Sequence, residues 1–356
     1  MDITEFDFPL PQELIAQFPQ TPREESRLLV LHRSSGEIHH SKFIELDRWL
    51  REGDLLVVND TRVIHARVKA RKPTGGRVEV LLCEPVDEQD RPLEKIDRQR
   101  IAKAARWRCL VRARGRLNDG THLTWEGSKE GILRRARDGR WVVELKGVED
   151  VVEWLRDVGR VPLPPYIKRE PTDEDAKRYQ TIFARRDGSI AAPTAALHFS
   201  ETVVRRLREK GVRIAAVTLH VGVGTFSPVR AKRVEEHHME SEYLEVNEEL
   251  CRLHRETRKA GGRVIAVGTT TVRAMESAAD STGELHPYEG YTSLFIIPGY
   301  EFKAIDGLIT NFHLPRSTPL MLVMAFAGRE PIMQAYSEAI ERRYRFFSYG
   351  DAMLIV

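Results

Sequence analysis

The sequence predicts an α/β fold: a mostly parallel sheet covered by helices on both faces, with a small antiparallel β-barrel domain inserted into it. Three observations predict it. Apolar, strand-like runs alternate with capped helical patterns from residue 200 onward, the pattern of a sheet with crossover helices. A helix-then-strand pair, "FIELDRWLREG" and "DLLVVND", already stands in the first 60 residues. Between these, residues 66–149 break into short alternating runs punctuated by Gly-Gly, Asn-Asp-Gly and Asp-Gly, which are hairpin signals. The expected organisation is a discontinuous α/β domain, residues 1–65 plus 150–356, interrupted by a barrel over residues 66–149.

Each element has a local reason. "FIELDRWLREG" is amphipathic and meets Gly53, a C-terminal stop; "DLLVVND" is a short buried strand bounded by Asn59 and Asp60. The barrel runs are "ARVKARK", "GRVEVLLCE", "RWRCLVRAR", "THLTWEG" and "GILRRARDGRWVVELKG". After "GRVPLPPYI" the helix "SETVVRRLREKG" is capped by Ser200 and stopped by Gly211. Strand "VRIAAVTLHV" follows, then helix "NEELCRLHRETRKAGG" with Asn247 as cap. Strand "RVIAVG" leads into helix "TTTVRAMESAAD". "TSLFIIPG" and "GLITNFH" read as strands. "STPLMLVMAFAG" is a helix with Ser317 or Thr318 as cap and Pro319 in its first turn, where a missing N–H costs nothing. "PIMQAYSEAIERRYRFF" is a further helix and "DAMLIV" a closing strand.

Composition excludes several classes. The 356 residues are 41% hydrophobic, with no low-complexity tract, so the chain is globular rather than disordered. The N-terminus "MDITEFDFPLPQEL" lacks a basic, then apolar, leader. The apolar run over residues 319–328 is too short to span a bilayer. A cytoplasmic protein with no membrane partner is expected. Cys83, Cys109 and Cys251 are far apart, which predicts reduced thiols and no thiolate zinc site. The 12 histidines show no H-x-x-x-H spacing, so no metal is expected. Net charge is +3, yet residues 91–116 hold ten Lys or Arg against Glu94 and Asp97. Such a patch either tracks phosphates or is a solvated face.

Polar clusters fall at the carboxyl ends of predicted strands, where ligands gather in open α/β sheets. They are Asn59, Asp60, Thr61 and Arg62; Thr218, His220, Gly222, Gly224 and Thr225; Gly268, Thr269, Thr270, Arg273 and Glu276; Thr310, Asn311 and His313; and Thr194 with His198. Each alone reads equally as a satisfied structural group. Five in one domain point to one shared pocket. "GTTT" at a helix N-terminus suits an anion, and histidines near carboxylates suit proton transfer at neutral pH. No G-x-S-x-G elbow and no phosphate-binding loop is present. These residues alone imply a metal-free acid/base enzyme with an anionic or nucleoside-like substrate.

Six motifs, in order, are "FDFPLPQELIAQFP", "GDLLVVNDTRVIHAR", "YQTIFARRDGSIAAPTAALHF", "TLHVGVGTFSPV", "VIAVGTTTVRAMES" and "PGYEFKAIDGLITNFHLPRSTPLMLVMAFAG". Together they resemble the S-adenosylmethionine:tRNA ribosyltransferase-isomerase family of queuosine biosynthesis, over essentially the whole chain. The sequence departs from that pattern at His65, Ala196, Glu240 and Pro319. The resemblance implies transfer of the ribosyl moiety of S-adenosylmethionine to the aminomethyl group of a 7-aminomethyl-7-deazaguanine at the wobble position of a tRNA anticodon. Adenine and methionine leave and epoxyqueuosine-tRNA forms. S-adenosylmethionine is consumed as a substrate, and neither metal nor redox cofactor is implied.

On that resemblance His198, His220 and His313 form a proton-transfer set, with Asp60 or Asp306 as orienting carboxylate. Asn59, Thr61, Arg62, Gly268, Thr269 and Thr270 hold the ribose and the methionine carboxylate, with Arg273 as an alternative partner for the latter. Gly222, Gly224, Thr225, Glu276 and Asn311 complete the substrate-binding set. Arg106, Arg108, Arg112 and Arg114 share one strand parity and are candidates for tRNA contact, while Trp107 has core parity. No coiled-coil or interface pattern appears, which predicts a monomer. Two rival classes are a non-catalytic RNA-binding factor and a nucleic-acid methyltransferase.

Overall fold

The computed structural model describes residues 1–222, 224, 229 and 231–356. Strands β1 (Arg27–Leu31) and β2 (Ile38–Lys42) form a hairpin, and β3 (Leu55–Asn59) and β4 (Thr61–Val63) follow. The next segment holds β5 (Arg67–Arg71), β6 (Arg77–Pro85), α1 (Arg98–Lys103), β7 (Arg106–Ala113), β8 (Thr121–Trp125), β9 (Lys129–Arg135) and β10 (Trp141–Lys146). Then come α2 (Val151–Val158), α3 (Asp173–Arg178), β11 (Arg186–Ser189), α4 (Glu201–Glu209), β12 (Arg213–Leu219), β13 (Glu242–Val246) and α5 (Glu248–Lys259). The chain closes through β14 (Val264–Val267), α6 (Thr269–Ala278), β15 (Tyr288–Thr292), β16 (Gly307–Asn311), α7 (Thr318–Ala327), α8 (Arg329–Glu341) and β17 (Ala352–Ile355).

A nine-stranded sheet runs in the order β15-β13-β12-β3-β14-β16-β17-β1-β2. Strand alternation splits its side chains between two cores. Leu55 and Val57 pack with α5, α6, α7 and α8, whereas Leu56 and Val58 pack with α4. Helices therefore cover both faces, as expected. The parallel character sits at the centre, where β12, β3, β14 and β16 are parallel neighbours. The flanks are antiparallel at β15-β13, β13-β12, β16-β17 and β1-β2, so the sheet as a whole is mixed. For β1 and β2 the physical reason is connection type: a parallel return needs a crossover, and no α-helix lies between these two strands.

Strands β5 to β10 close into a barrel, order β10-β7-β6-β5-β8-β9. Its inward positions, including Val80, Leu82, Leu123, Leu133 and Val143, form one core with Trp107, which is fully buried. Helix α2 joins that core through Val151, Val152, Trp154 and Leu155, and Trp154 meets Trp125 edge-on at 5.5 Å. Chain entry and exit cross at Gly159, where a Cβ would lie 2.0 Å from the His65 carbonyl oxygen, so only glycine fits.

Two predicted elements differ. "FIELDRWLREG" forms a 3-10 helix, Phe43–Arg48, rather than an α-helix. "TSLFIIPG" leaves the sheet after Thr292, because Leu294, Phe295 and Ile296 pack on the helical core and the Leu294 carbonyl accepts from Arg273 Nε at 2.9 Å. Among the described residues no helix is long and apolar enough to cross a membrane.

Candidate active site

Four parallel strands deliver their carboxyl ends to one edge of the sheet. Regular pairing of β12 with β3 stops at Val217 and Asn59. Beyond it the Asn59 side chain continues the ladder. Its Oδ1 accepts from the N–H groups of Leu219 and Thr61, each at 3.1 Å, and its Nδ2 donates to the Leu219 carbonyl at 2.9 Å. A longer contact at 3.4 Å reaches Thr270 Oγ1. Asn59 is fully buried and its polar atoms are spent on the chain itself. It splints the opening of the sheet rather than presenting a free amide to a ligand.

His220 follows β12 at this opening and is 7% exposed. Its Nδ1 lies 2.7 Å from Thr61 Oγ1, and its ring stacks on Tyr243 at 5.6 Å and 15°. Its Nε2 is buried with no hydrogen-bond partner. With Nδ1–H donating to the Thr61 oxygen, Nε2 keeps a lone pair. Gly188, at φ 147°, is what admits the ring: a Cβ there would lie 2.8 Å from Nε2. Burial, aided by Arg186, pushes the His220 pKa down to about 3, so the ring is neutral near pH 7.

His198 is placed differently. Asn311 Nδ2 donates to its Nε2 at 3.1 Å, and its Nδ1 lies 2.8 Å from Ser26 Oγ, which donates to the Arg23 carbonyl at 2.6 Å. Both ring nitrogens are occupied. Asn311 in turn accepts from Thr194 Oγ1 at 2.8 Å, so His198 fixes the pair that lines the cavity. His313 is half-buried; its Nε2 meets Thr310 Oγ1 at 2.7 Å and its backbone N–H donates to the Tyr336 hydroxyl. Burial pushes the pKa of both down to about 3, with Arg345 and Arg23 adding to the effect at His198.

These depressions make a stability prediction. The unfolded chain protonates its histidines near the ordinary pKa of about 6.5, while folded His198 and His220 stay neutral until about 3. Stability is therefore full above about pH 6.5 and falls as pH drops toward 3, by up to about 2 kcal/mol per histidine at pH 5. Urea unfolding at pH 7.5 and 5.0 should show the loss, and His198→Gln should flatten it. An equal pH slope in wild type and variant would contradict the assignment.

Other expected residues divide sharply. Gly268, at φ 94°, opens α6, and Thr269 and Thr270 sit in its first turn beside the cavity. Arg273 and Glu242 form a buried ion pair; Arg273 Nε serves the Leu294 carbonyl, and one Arg273 terminal nitrogen is buried without a partner. Gly222 N–H donates to Glu242 Oε1 at 2.8 Å. Gly224 lies against Glu240, and Thr225 falls outside the described residues. Glu276 is absorbed by Tyr300 and the N–H groups of Lys303 and Ala304, so it pins a loop and is not available to a substrate. Arg62 donates to the Ala184 carbonyl, away from the cavities.

Neither expected orienting carboxylate reaches a histidine. Asp60 accepts from Thr218 Oγ1 at 2.6 Å and lines a groove with Arg185 and Arg186 on the α4 side of the sheet. Burial raises its pKa. Asp306 precedes β16 at the amino ends of the strands, paired with Arg258 at 2.7 Å and with the Val264 N–H at 2.8 Å. Glu242 lines the same cleft as His220, with its carboxylate paired to Arg273.

Three neighbouring spaces share lining residues here. A cleft of about 890 Å³ between barrel and sheet is lined by His220, Gly188, Glu242 and Tyr243 and, from the barrel, Glu84, Arg108 and Leu110. A cavity of about 80 Å³ lies among Thr194, Gly268, Thr269, Thr270, Asn311 and His313. A third of about 20 Å³ lies beside Arg273. Val221 lines the first two, Met239 the first and third, and Thr269, Thr270 and Pro319 the second and third. Cys83 and Cys109 also line the cleft, but burial raises both thiols, Cys83 to about 12, so neither is a thiolate at neutral pH.

The queuosine biosynthesis protein family matches residues 3–355. An S-adenosylmethionine:tRNA ribosyltransferase-isomerase of Thermotoga maritima is 48% identical over 357 residues, covering all of both chains. One from Anaeromyxobacter sp. is 49% identical over 356 residues, covering 100% of this chain and 99% of the relative. The chain belongs to the S-adenosylmethionine:tRNA ribosyltransferase-isomerase family. A crystal structure of an S-adenosylmethionine tRNA ribosyltransferase from Thermotoga maritima is similar over 99% of this chain and 100% of that one, with a TM-score of 0.54 and 38% identity. Family membership makes the chain an enzyme, a transferase and isomerase of queuosine biosynthesis.

For this family member the basic strand divides in two. Arg106 is held by Asp90 at 2.5 Å and Arg108 by Glu84 at 3.0 Å. Arg112 and Arg114 are exposed on the outer barrel face. Four residues of the site escaped the sequence reading: Gly188, Glu84, Glu242 and Tyr243. Gly188 carried a signal only as the glycine of "RDGS"; the others act through partners remote in sequence.

Proposed function

We propose that the enzyme transfers and isomerises the ribosyl moiety of S-adenosylmethionine onto the aminomethyl group of 7-aminomethyl-7-deazaguanine in tRNA, giving epoxyqueuosine-tRNA, adenine and methionine. The observation that carries this is His220: a neutral, nearly buried imidazole with an unpartnered Nε2, lining the cleft that neighbours the strand-end cavities. The sulfonium acidifies the ribose C5′ protons, and a neutral imidazole accepts one. A base this desolvated holds a proton poorly, so it passes the proton on as the sugar opens and adenine departs, rather than storing it. The amine then attacks C1′, and re-closure to the epoxide expels methionine. His313 is the second proton-transfer group. His198, with both nitrogens engaged, positions Asn311 and Thr194. The first turn of α6 suits the methionine carboxylate, because unpaired N–H groups converge there; the 80 Å³ cavity admits that end of the molecule only, with the remainder in the cleft.

Product analysis tests the reaction. Incubation with S-adenosylmethionine and precursor-bearing tRNA should release adenine and methionine. S-adenosylhomocysteine would indicate methyl transfer, and neither product would indicate a binding protein.

The tRNA contact has its own test. Arg112 and Arg114 are free to meet phosphates, whereas Arg106 and Arg108 already hold acids. Arg112→Gln with Arg114→Gln should lower the slope of log K against log salt by about 0.7–0.9 for each phosphate no longer neutralised. The same change at Arg106 and Arg108 should lower it less. Equal slopes in all three proteins would remove the barrel face from the interface.

A further inference from the structure

Three neighbouring strands carry one aromatic row. His220 continues the β12–β13 pairing one residue past Leu219 and Leu244, and its N–H donates to the Tyr243 carbonyl at 2.9 Å. Tyr243 in turn pairs with Tyr291 on β15. Cross-strand partners share a face of the sheet, so the three rings stand side by side. His220 stacks on Tyr243 at 5.6 Å and 15°, and Tyr243 meets Tyr291 edge-on at 5.6 Å and 75°. The far end of the row is held by the inserted domain. The Tyr243 hydroxyl donates to Glu289 Oε1 at 2.8 Å, Glu289 pairs with Lys95, and the Tyr291 hydroxyl donates to the Leu93 carbonyl at 2.8 Å. Lys95 and the Tyr243 hydroxyl hold Glu289 below the usual carboxylate range, and burial raises the pKa of the Tyr243 hydroxyl. The donor therefore stays protonated and the acceptor charged at neutral pH.

We propose that Tyr243 is a positioning residue for His220, and that Lys95 of the inserted domain holds it in place through Glu289. The inference rests on the reading of His220 as proton acceptor. Thr61 fixes the imidazole at one atom, Nδ1, and Gly188 puts no Cβ against the Nε2 side. A single hydrogen bond lets the ring pivot, and a pivot swings the Nε2 lone pair. A tyrosine face parallel to the imidazole opposes that motion, because offset stacking is lost as the planes tilt. Tyr243 resists only if it is itself fixed, and Glu289 and Lys95 fix its hydroxyl. Proton transfer demands such support: a displacement of about 1 Å at the reacting atoms costs on the order of 10²-fold. The inserted domain thereby aims a sheet residue, apart from any contact with RNA.

The test is a double-mutant cycle on adenine release in a single turnover, with S-adenosylmethionine and precursor tRNA saturating. Tyr243→Leu should slow release by about 10–100-fold in the wild-type background. Affinities for both substrates should stay within about threefold, since the loss is in the chemical step. In His220→Gln no basic nitrogen remains to be aimed, so there Tyr243→Leu should change the rate by less than about twofold. Tyr243→Phe keeps the ring and drops the anchor; a loss of about three- to tenfold is expected, again only where His220 is present. This milder change decides the matter if Tyr243→Leu does not fold. Equal losses in both backgrounds would mean that Tyr243 acts on the substrate or the fold directly, and no loss with either variant would mean that the stack aims nothing. Either result overturns the inference and leaves His220 as the base. His220→Gln at the wild-type rate refutes the proton-acceptor reading itself, and the inference falls with it.

Discussion

Replacing His220 with glutamine should slow adenine release in a single turnover by about 10²–10⁴-fold, the usual loss when a positioned proton-transfer group is removed. Glutamine is neutral, as His220 is, and its amide can still meet Thr61. What it removes is a basic ring nitrogen at the cleft end. His198→Gln should cost much less, because His198 Nε2 accepts from Asn311 and has no lone pair left for substrate. The measurement is adenine release with tRNA and S-adenosylmethionine both saturating, which separates the chemical step from binding. A His220→Gln rate within about threefold of wild type, under roughly 0.7 kcal/mol of barrier, would exclude His220 as the proton acceptor. Intermediate losses at His220 and His313 together would point to a shared proton path.

Much of this arrangement is written locally in the chain. Ser200 and Asn247 cap the helices that the sequence assigns them, and of the two candidates Ser317 and Thr318 it is Ser317 that caps α7, because a cap needs only the next three residues. The barrel is legible because its turns carry glycine where hairpins require it. Trp107 is buried as its parity demands. Strand-end clusters are legible because polar residues after an apolar run mark where a strand leaves the core.

Direction and partner are not local. Asp306 stands five residues before Asn311, yet a five-residue strand spans about 16 Å, so it lies at the far edge of the sheet from His313. Asp60 follows Asn59 by one residue, and one residue turns a strand side chain to the other face. The charge count over residues 91–116 cannot show that Asp90 and Glu84 will neutralise two of its arginines. Glu242 opens an antiparallel strand and meets Arg273 across the fold, a pairing with no trace in spacing.

Asn59 joins these two levels, and its replacement should have the largest effect on the fold. The sequence offers it as a ligand-binding amide; the structure spends it on backbone. Asn59→Ala leaves the N–H groups of Leu219 and Thr61 and the Leu219 carbonyl without partners where water does not enter. An unsatisfied buried polar group costs about 1–3 kcal/mol, and partial relaxation of the strand ends recovers some of it, so a net loss of about 3 kcal/mol is expected. Urea unfolding at pH 7.5 measures it. Thr270→Val should cost under about 1 kcal/mol, because the 3.4 Å contact it removes is the weakest of the set. Activity should fall with Asn59→Ala even below the unfolding transition: Thr61, which orients His220, hangs on the same oxygen as Leu219, the residue before it. Loss of stability with full activity would show that β12 and β3 hold their separation without the splint. Neither loss would show that the amide is dispensable to the opening from which the whole site is built.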